Sequence, residues 1–210
     1  GGYRAKNRTK TKNNLYLCQM IPFVDIHTPH STDAVTILTV GVHPWRAGEG
    51  VLPATDEIAS AEAVGEIGLD KASEVDFSLQ MVQFQAQLRL AEAYRKPVVL
   101  HVVRAYEEVL KALDEVQLPA VIFHGFIGSP ELAERLIRRG FYLSFGERTF
   151  RSPKTLEALR STPLERLFIE TDESRMPLAE IYEKAAEAKG ITCEELQQAT
   201  YENYLKLFRK

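Results

Sequence analysis

Four of the chain's five histidines lie where a short apolar run ends. His27 closes the first run, His43 follows the second, and His101 and His124 close later ones. Glu66 sits late in the third run, and Asp172 comes just after the last. Imidazoles and carboxylates are the donors that Zn²⁺, Mn²⁺ and related divalent ions take. A carboxylate shared by two such ions also sets up the activation of a water nucleophile. Each residue alone has a plainer reading. A histidine at a strand end is more often a hydrogen-bonded structural residue, Glu66 after Gly65 could be a solvated acid in a turn, and Asp172 could cap the next segment. What favours a metal site is the arrival of all of them at one end of the runs.

The elements that must position them alternate along the chain. Apolar runs fall at 23–27, 36–42, 63–67, 97–101, 120–124, 141–145 and 167–171. They are rich in Val, Ile, Leu and Phe and do not alternate with polar residues, as expected of strands buried on both faces. The intervening segments read as helices. In 76–94, Phe77, Met81, Phe84, Leu88 and Ala91 recur every three or four residues behind Asp76 as N-cap. Residues 105–116 and 131–139 repeat the period, the latter opened by Ser129-Pro130 and stopped by Gly140. A short helix runs from Ser152-Pro153 to about Arg160, and 177–189 (ended by Gly190) and 193–208 close the chain. Such alternation predicts an α/β fold with parallel strands whose C-terminal ends share one rim. Residues 28–35 are too few for a parallel crossover with a helix. The expectation is therefore a TIM-like (β/α) barrel of seven parallel strands, with one α/β unit missing near the N-terminus.

Several strings carry a resemblance. They are Asp25-Ile26-His27, Gly41-Val42-His43-Pro44, Gly65-Glu66-Ile67-Gly68-Leu69-Asp70, Pro97-Val98-Val99-Leu100-His101, His124-Gly125-Phe126-Ile127-Gly128-Ser129 and Glu170-Thr171-Asp172, with Gln80, Phe84 and Gln87 spaced along the first long helix. In this order they resemble the TatD family of metal-dependent hydrolases, in the amidohydrolase superfamily, from about residue 23 onward and in a compact short form. The resemblance implies a (β/α) barrel, one or two divalent ions (Zn, Mn or Mg), and a deoxyribonuclease-type activity, often on DNA ends. It implies Glu66 as the metal-bridging carboxylate and His101 and His124 as ligands of one ion. His27 and Asp172 match ligands of the other, with Asp172 also taking a proton from the attacking water. His43 matches a position beside the substrate, where it steadies a phosphate oxygen. The catalytic set is then Asp172, Glu66 and His43. From the residues themselves, Arg104 can neutralise a substrate phosphate or serve as a surface arginine at a helix start. Lys71 and Arg148 are weaker versions of the same idea.

The chain departs from the family pattern in three places. The family's first strand normally ends His-x-His, but here the order is His27-Thr28-Pro29-His30. Proline offers no side-chain donor. His30, one residue further, faces the other way in an extended chain, although a turn at Thr28-Pro29 can swing it back. His30 is thus a possible substitute ligand; without it the first ion lacks one. Family members also carry another helix-strand-helix before Gly-x-His-Pro, and the arginine after His101 is displaced by one from the commoner His-x-Arg.

Bulk composition narrows the class. The chain has 210 residues, 45% hydrophobic and 26% charged, which suits one folded domain. No apolar run is long enough for a membrane span. Cys18 and Cys193 share no motif, which argues against a disulfide framework and for a cytoplasmic setting. Residues 1–19 hold Arg4, Lys6, Arg8, Lys10 and Lys12 and no acid. They lack the apolar stretch of a secretory signal. We read 1–19 as a basic extension, disordered or non-native, with Met20 the functional start and 20–210 one hydrolase domain; a nucleic-acid-binding arm is the alternative. The remainder is more acidic than the net charge of −3 indicates. If the substrate is the nucleic acid or small phosphodiester that the resemblance implies, ions and a few local arginines must hold it, without a stable complex; the chain is expected to be a monomer. Two other readings stay open. One is hydrolysis of a small amide, lactone or phosphate monoester at the same site. The other is a non-catalytic metal-binding protein whose first site has decayed.

Overall fold

The computed structural model describes residues 21–30 and 33–210. The expectations for residues 1–19 and for Met20, Cys18 included, lie outside these. Six strands form one parallel sheet in simple order: β1 (Thr39–Val40), β2 (Ala63–Asp70), β3 (Val98–Val103), β4 (Val121–Phe123), β5 (Tyr142–Phe145) and β6 (Leu167–Ile169). The helices are α1 (Thr55–Ser60), α2 (Phe77–Ala93), α3 (Tyr106–Leu113), α4 (Pro130–Arg138), α5 (Pro153–Ser161), α6 (Leu178–Lys189) and α7 (Cys193–Phe208). Helices α2 to α7 fall where the periodicity predicts them. Helix α1 and the 3₁₀ turns Pro44–Glu49, Glu147–Arg151 and Leu164–Arg166 are too short to leave a periodic signal.

The first expected strand is reduced. Residues 23–27 make a single parallel bridge, Val24 to Val35, rather than a regular ladder. The backbone is still satisfied on both sides. Asp25 N donates to Val35 O (2.9 Å) and Val35 N to Phe23 O (2.8 Å). On the other side Ile26 N donates to Ile169 O (3.1 Å) and Asp172 N to His27 O (2.9 Å). The segment therefore lies between the end of β6 and the approach to β1, where a seventh strand belongs. The second run keeps regular pairing only at Thr39 and Val40. A connection of so few residues cannot lay two long parallel strands side by side.

Two apolar layers hold the architecture. Val24, Ile26, Ala63, Val99, Ala120, Ile122, Tyr142 and Phe168 pack together on the inner side, joined by Tyr204 of α7. Alternate residues, Val64, Val98, Leu100, Val121, Phe123, Leu143, Phe145, Leu167 and Ile169, face the helices. Phe84 and Leu88 hold α2 against that outer face, and burying each contributes about 1.5–3 kcal/mol. Two residues further along each strand the inner position turns polar: His101 follows Val99, His124 follows Ile122, Ser144 follows Tyr142 and Glu170 follows Phe168. The apolar interior thus gives way to a polar floor at the C-terminal rim.

Candidate metal centre

Glu66 reaches that floor because β2 is irregular. The β2–β3 register shifts between Gly65 and Ile67, so one extra residue enters the strand. Ala63 and Glu66, of opposite parity, then both serve the interior, while Val64 and Ile67 face the helices. The Glu66 carboxylate is met by four imidazoles. Oε2 lies 3.1 Å from His27 Nε2, and Oε1 lies 2.9 Å from His101 Nδ1 and 3.2 Å from His43 Nε2. His124 Nε2 also abuts Oε1. Asp172 Oδ1 stands 3.4 Å from His27 Nε2 on the far side.

The donor atoms of His27, His124 and Asp172 lie within 4.8 Å of one another, and so do those of His43, Glu66 and His101. The first trio suits a divalent ion, and the second does so only with a lone pair free on His43 Nε2. His124 Nε2 is buried against Glu66 Oε1, a pairing that a shared cation or a proton can fill. This grouping differs from the expected one, which puts His124 with His101. Glu66 Oε1 touches both, so either division keeps Glu66 at the centre.

Each imidazole is aimed by a second contact. His101 Nε2 is 2.8 Å from Asp70 Oδ2, which leaves Nδ1 for Glu66. His124 Nδ1 is 3.3 Å from Glu170 Oε1, which leaves Nε2. Carboxylates behind imidazoles fix ring orientation and tautomer at metal sites. His43 is different. Its Nδ1 accepts the Trp45 backbone N–H at 3.1 Å, so its proton sits on Nε2 and points at Glu66. In this tautomer it donates to Glu66 rather than offering an ion a lone pair. Asp25, fully buried, accepts from Thr171 N (2.9 Å) and Thr171 Oγ1 (2.6 Å) and ties the His27 segment to the Asp172 loop. Asp172 itself sits at φ 50°, a left-handed conformation that aspartate tolerates better than most residues.

Helix α2 supplies two clamps. Gln80 accepts from Asp70 N (2.8 Å) and donates to Asp70 O (3.0 Å). Gln87 accepts from Val42 N (2.6 Å) and donates to Val42 O (3.1 Å). Together with Phe84 they lie on one face of the helix, which explains their spacing. The clamps fix the backbone beside His43 and at the carboxylate that aims His101.

Electrostatics follow from this crowding. Burial pushes Glu66 toward neutrality, but its bonds to His101, His124, His27 and His43 outweigh it and hold the carboxyl far below its ordinary value. Burial disfavours charge on His27, yet Asp172 and Glu66 raise it to about 11. His124, opposed by burial in the same way, is raised to about 9 by Glu170 and Glu66. Asp70 is held low by His101, Trp45 and the Ala72 N–H against the opposing effect of burial.

The outlying candidates separate. His30 is exposed, its N–H bonded to Thr28 Oγ1 (3.1 Å), and it belongs to neither trio. Lys71 is engaged by Glu108 and lies 5.4 Å over the Phe77 ring. Arg104 (φ 53°) and Arg148 are exposed just past β3 and β5. A cavity of ≈ 200 Å³ opens beside His27, Glu66 and Asp172, lined also by Thr28, Pro29 and Thr39. Asp25, Asp70 and Glu170 fall within the sequence motifs, but the sequence alone assigns them no role. Their one signal is an acid placed near a ligand, and only the fold shows which imidazole or segment each one holds.

A model of the TatD related DNase family matches residues 26–209. The chain belongs to this family. The metal-dependent hydrolase YjjV of Escherichia coli K12 is 35% identical over 167 residues, covering 71% of this chain and 64% of YjjV. The 3'-5' ssDNA/RNA exonuclease TatD of Citrobacter rodentium is 32% identical over 231 residues, covering 94% of this chain and 84% of that one. The crystal structure of YjjV superposes with a TM-score of 0.72 at 28% identity, covering 83% of this chain and 77% of YjjV. That likeness places the α/β fold among TatD barrels. The chain spans just under two thirds of YjjV's length, and 65% of the similar Bacillus subtilis hydrolase YabD.

Proposed function

We propose that this TatD-family chain is a metal-dependent phosphodiesterase that cleaves nucleic acid. One observation carries the reading: a single buried-side carboxylate, Glu66, is ringed by four imidazoles, with two three-donor groups meeting across it. Divalent ions bound there would supply Lewis acidity at the phosphoryl group and a water acidic enough to ionise near neutral pH. Glu66, His27, His101, His124 and Asp172 would hold them, and Zn²⁺ or Mn²⁺ suits the mixed imidazole and carboxylate set better than Mg²⁺. Asp172, 43% exposed at its side chain, is reachable by solvent and accepts the proton that the attacking water sheds. His43 Nε2–H donates to a phosphoryl oxygen in place of Glu66. Arg104 stands at the rim for a neighbouring phosphate. The Citrobacter relative, named an exonuclease of single-stranded DNA and RNA, supports the substrate class. No helix among the described residues is long and apolar enough to cross a membrane. The reading keeps a cytoplasmic monomer.

The test is metal content with hydrolysis of bis-p-nitrophenyl phosphate and single-stranded DNA after supplementation with Zn²⁺ or Mn²⁺. Glu66→Gln and Asp172→Asn should each lower kcat by a hundredfold or more, roughly the share of catalysis carried by metal organisation and proton transfer. Undiminished activity in Glu66→Gln would sink the mechanism. Less than one bound ion per chain, with no turnover, would favour a decayed site. Turnover of amides or lactones but not phosphodiesters would move the assignment to another bond.

A further inference from the structure

Trp45 is the chain's one tryptophan, and it is 61% exposed. Its position is nonetheless fixed. The indole Nε1–H donates to Asp70 Oδ2 at 2.7 Å, the same oxygen that holds His101 Nε2. Its backbone N–H is bonded to His43 Nδ1. The indole stands at 68° to the His43 ring with centroids 4.6 Å apart, and at 78° to the His101 ring at 5.8 Å. Both contacts are edge-to-face, so neither imidazole is stacked parallel on the indole. A rigid aromatic surface therefore stands open beside two of the four imidazoles that ring Glu66.

We propose that Trp45 is a stacking platform for an unpaired nucleobase of the strand being cleaved, a proposal that rests on the phosphodiester reading above. Stacking needs a flat aromatic surface, freedom from competing rings, and closeness to the scissile linkage. Trp45 is flat and largely exposed, its ring neighbours meet it edge-to-face, and it adjoins two of the imidazoles that ring Glu66. Because the Asp70 bond already fixes the indole, little side-chain freedom is lost when a base settles on it. Every base presents the same kind of face, so the platform selects unpaired strand over duplex without reading sequence.

The experiment separates stacking from mere anchoring of Asp70. Zn²⁺-supplemented protein is titrated with a phosphorothioate single strand of adenines and with an abasic strand of equal length. Tryptophan emission reports the base, and the anisotropy of a dye on the strand reports binding. Adenine strands should quench Trp45 emission and abasic strands should not. Trp45→Phe, which keeps a ring but loses the Nε1–H, should bind adenine strands within about threefold of the parent. Trp45→Leu should bind them roughly five- to a hundredfold more weakly, while the abasic strand binds all three proteins alike. Adenine strands that bind by anisotropy yet leave emission unchanged, or a Trp45→Leu protein that binds them as tightly as the parent, overturn the platform and leave the phosphodiester reading standing. If neither strand binds by anisotropy, the nucleic-acid reading itself falls and takes the platform with it.

Discussion

Ion uptake at this centre should expel protons, and the structure sets how many. Burial alone would leave His27 and His124 neutral, but the carboxylates around them win. His27 is raised from 6.5 to about 11 by Asp172 and Glu66, and His124 from 6.5 to about 9 by Glu170 and Glu66. At pH 7.5 only about 3% of His124, and far less of His27, is then neutral in the metal-free chain. An ion held by His27, His124 and Asp172 needs both lone pairs. Close to two protons must leave, and the apparent affinity should rise about a hundredfold per pH unit below pH 9 and about tenfold per unit from there to pH 11. The assay is Zn²⁺ titration calorimetry at pH 6.5 and 7.5 in buffers of different ionisation enthalpy, with the binding constants corrected for buffer–metal complexes. A release below one proton, or an affinity unchanged between the two pH values, would refute the reasoning. The same shifts govern the metal-free fold. A raised histidine pKa contributes stability that is fully present below about 6.5, so this contribution fades as pH climbs through about 9 and then about 11. Glu66, whose pKa is depressed, contributes stability that is present above 4.5 and lost only in strong acid. Metal-free protein should therefore melt at lower temperature at pH 10 than at pH 7, and loaded protein should show a smaller drop.

Three further outcomes are set by contacts around the centre. Asp70→Asn and Glu170→Gln keep side-chain size but weaken the partner that aims His101 or His124; each should lower ion affinity roughly 10- to 100-fold by chelator competition, and unchanged affinity would show that the rings are held by packing. Gly68 sits at φ 153°, and a Cβ there would come within 1.8 Å of the His101 carbonyl oxygen. Gly68→Ala should therefore destabilise the chain by more than about 3 kcal/mol in urea unfolding. Gln87→Leu strips both backbone groups of Val42 of their partners; it should cost roughly 2–5 kcal/mol in the same assay, with a smaller effect if water can enter.

Much of the helical frame was legible because its signals are local. Ser129-Pro130 and Gly140 mark the ends of α4, and the apolar spacing of Phe77, Phe84 and Leu88 marks α2. The rim was legible too, since His101 and His124 end apolar runs whose parallel pairing puts strand ends together. The reduced first strand was foreseeable only as a short connection. That it survives as one bridge and four backbone bonds depends on where β6 ends and Val35 lies.

The sequence by itself determined which residues carry the donors and which strands deliver them, because residue type and strand parity are properties of the chain. It could not decide how the donors divide between two groups, since that rests on distances of a few ångströms across the ends of six runs. Nor could it show that Glu66 turns inward through an irregular register, or that Asp70 and Glu170 each aim a particular imidazole. Parity would have sent Glu66 to the face opposite Ala63. Only tertiary pairing with β3, which absorbs one extra residue at that point, brings the carboxylate into the ring of histidines.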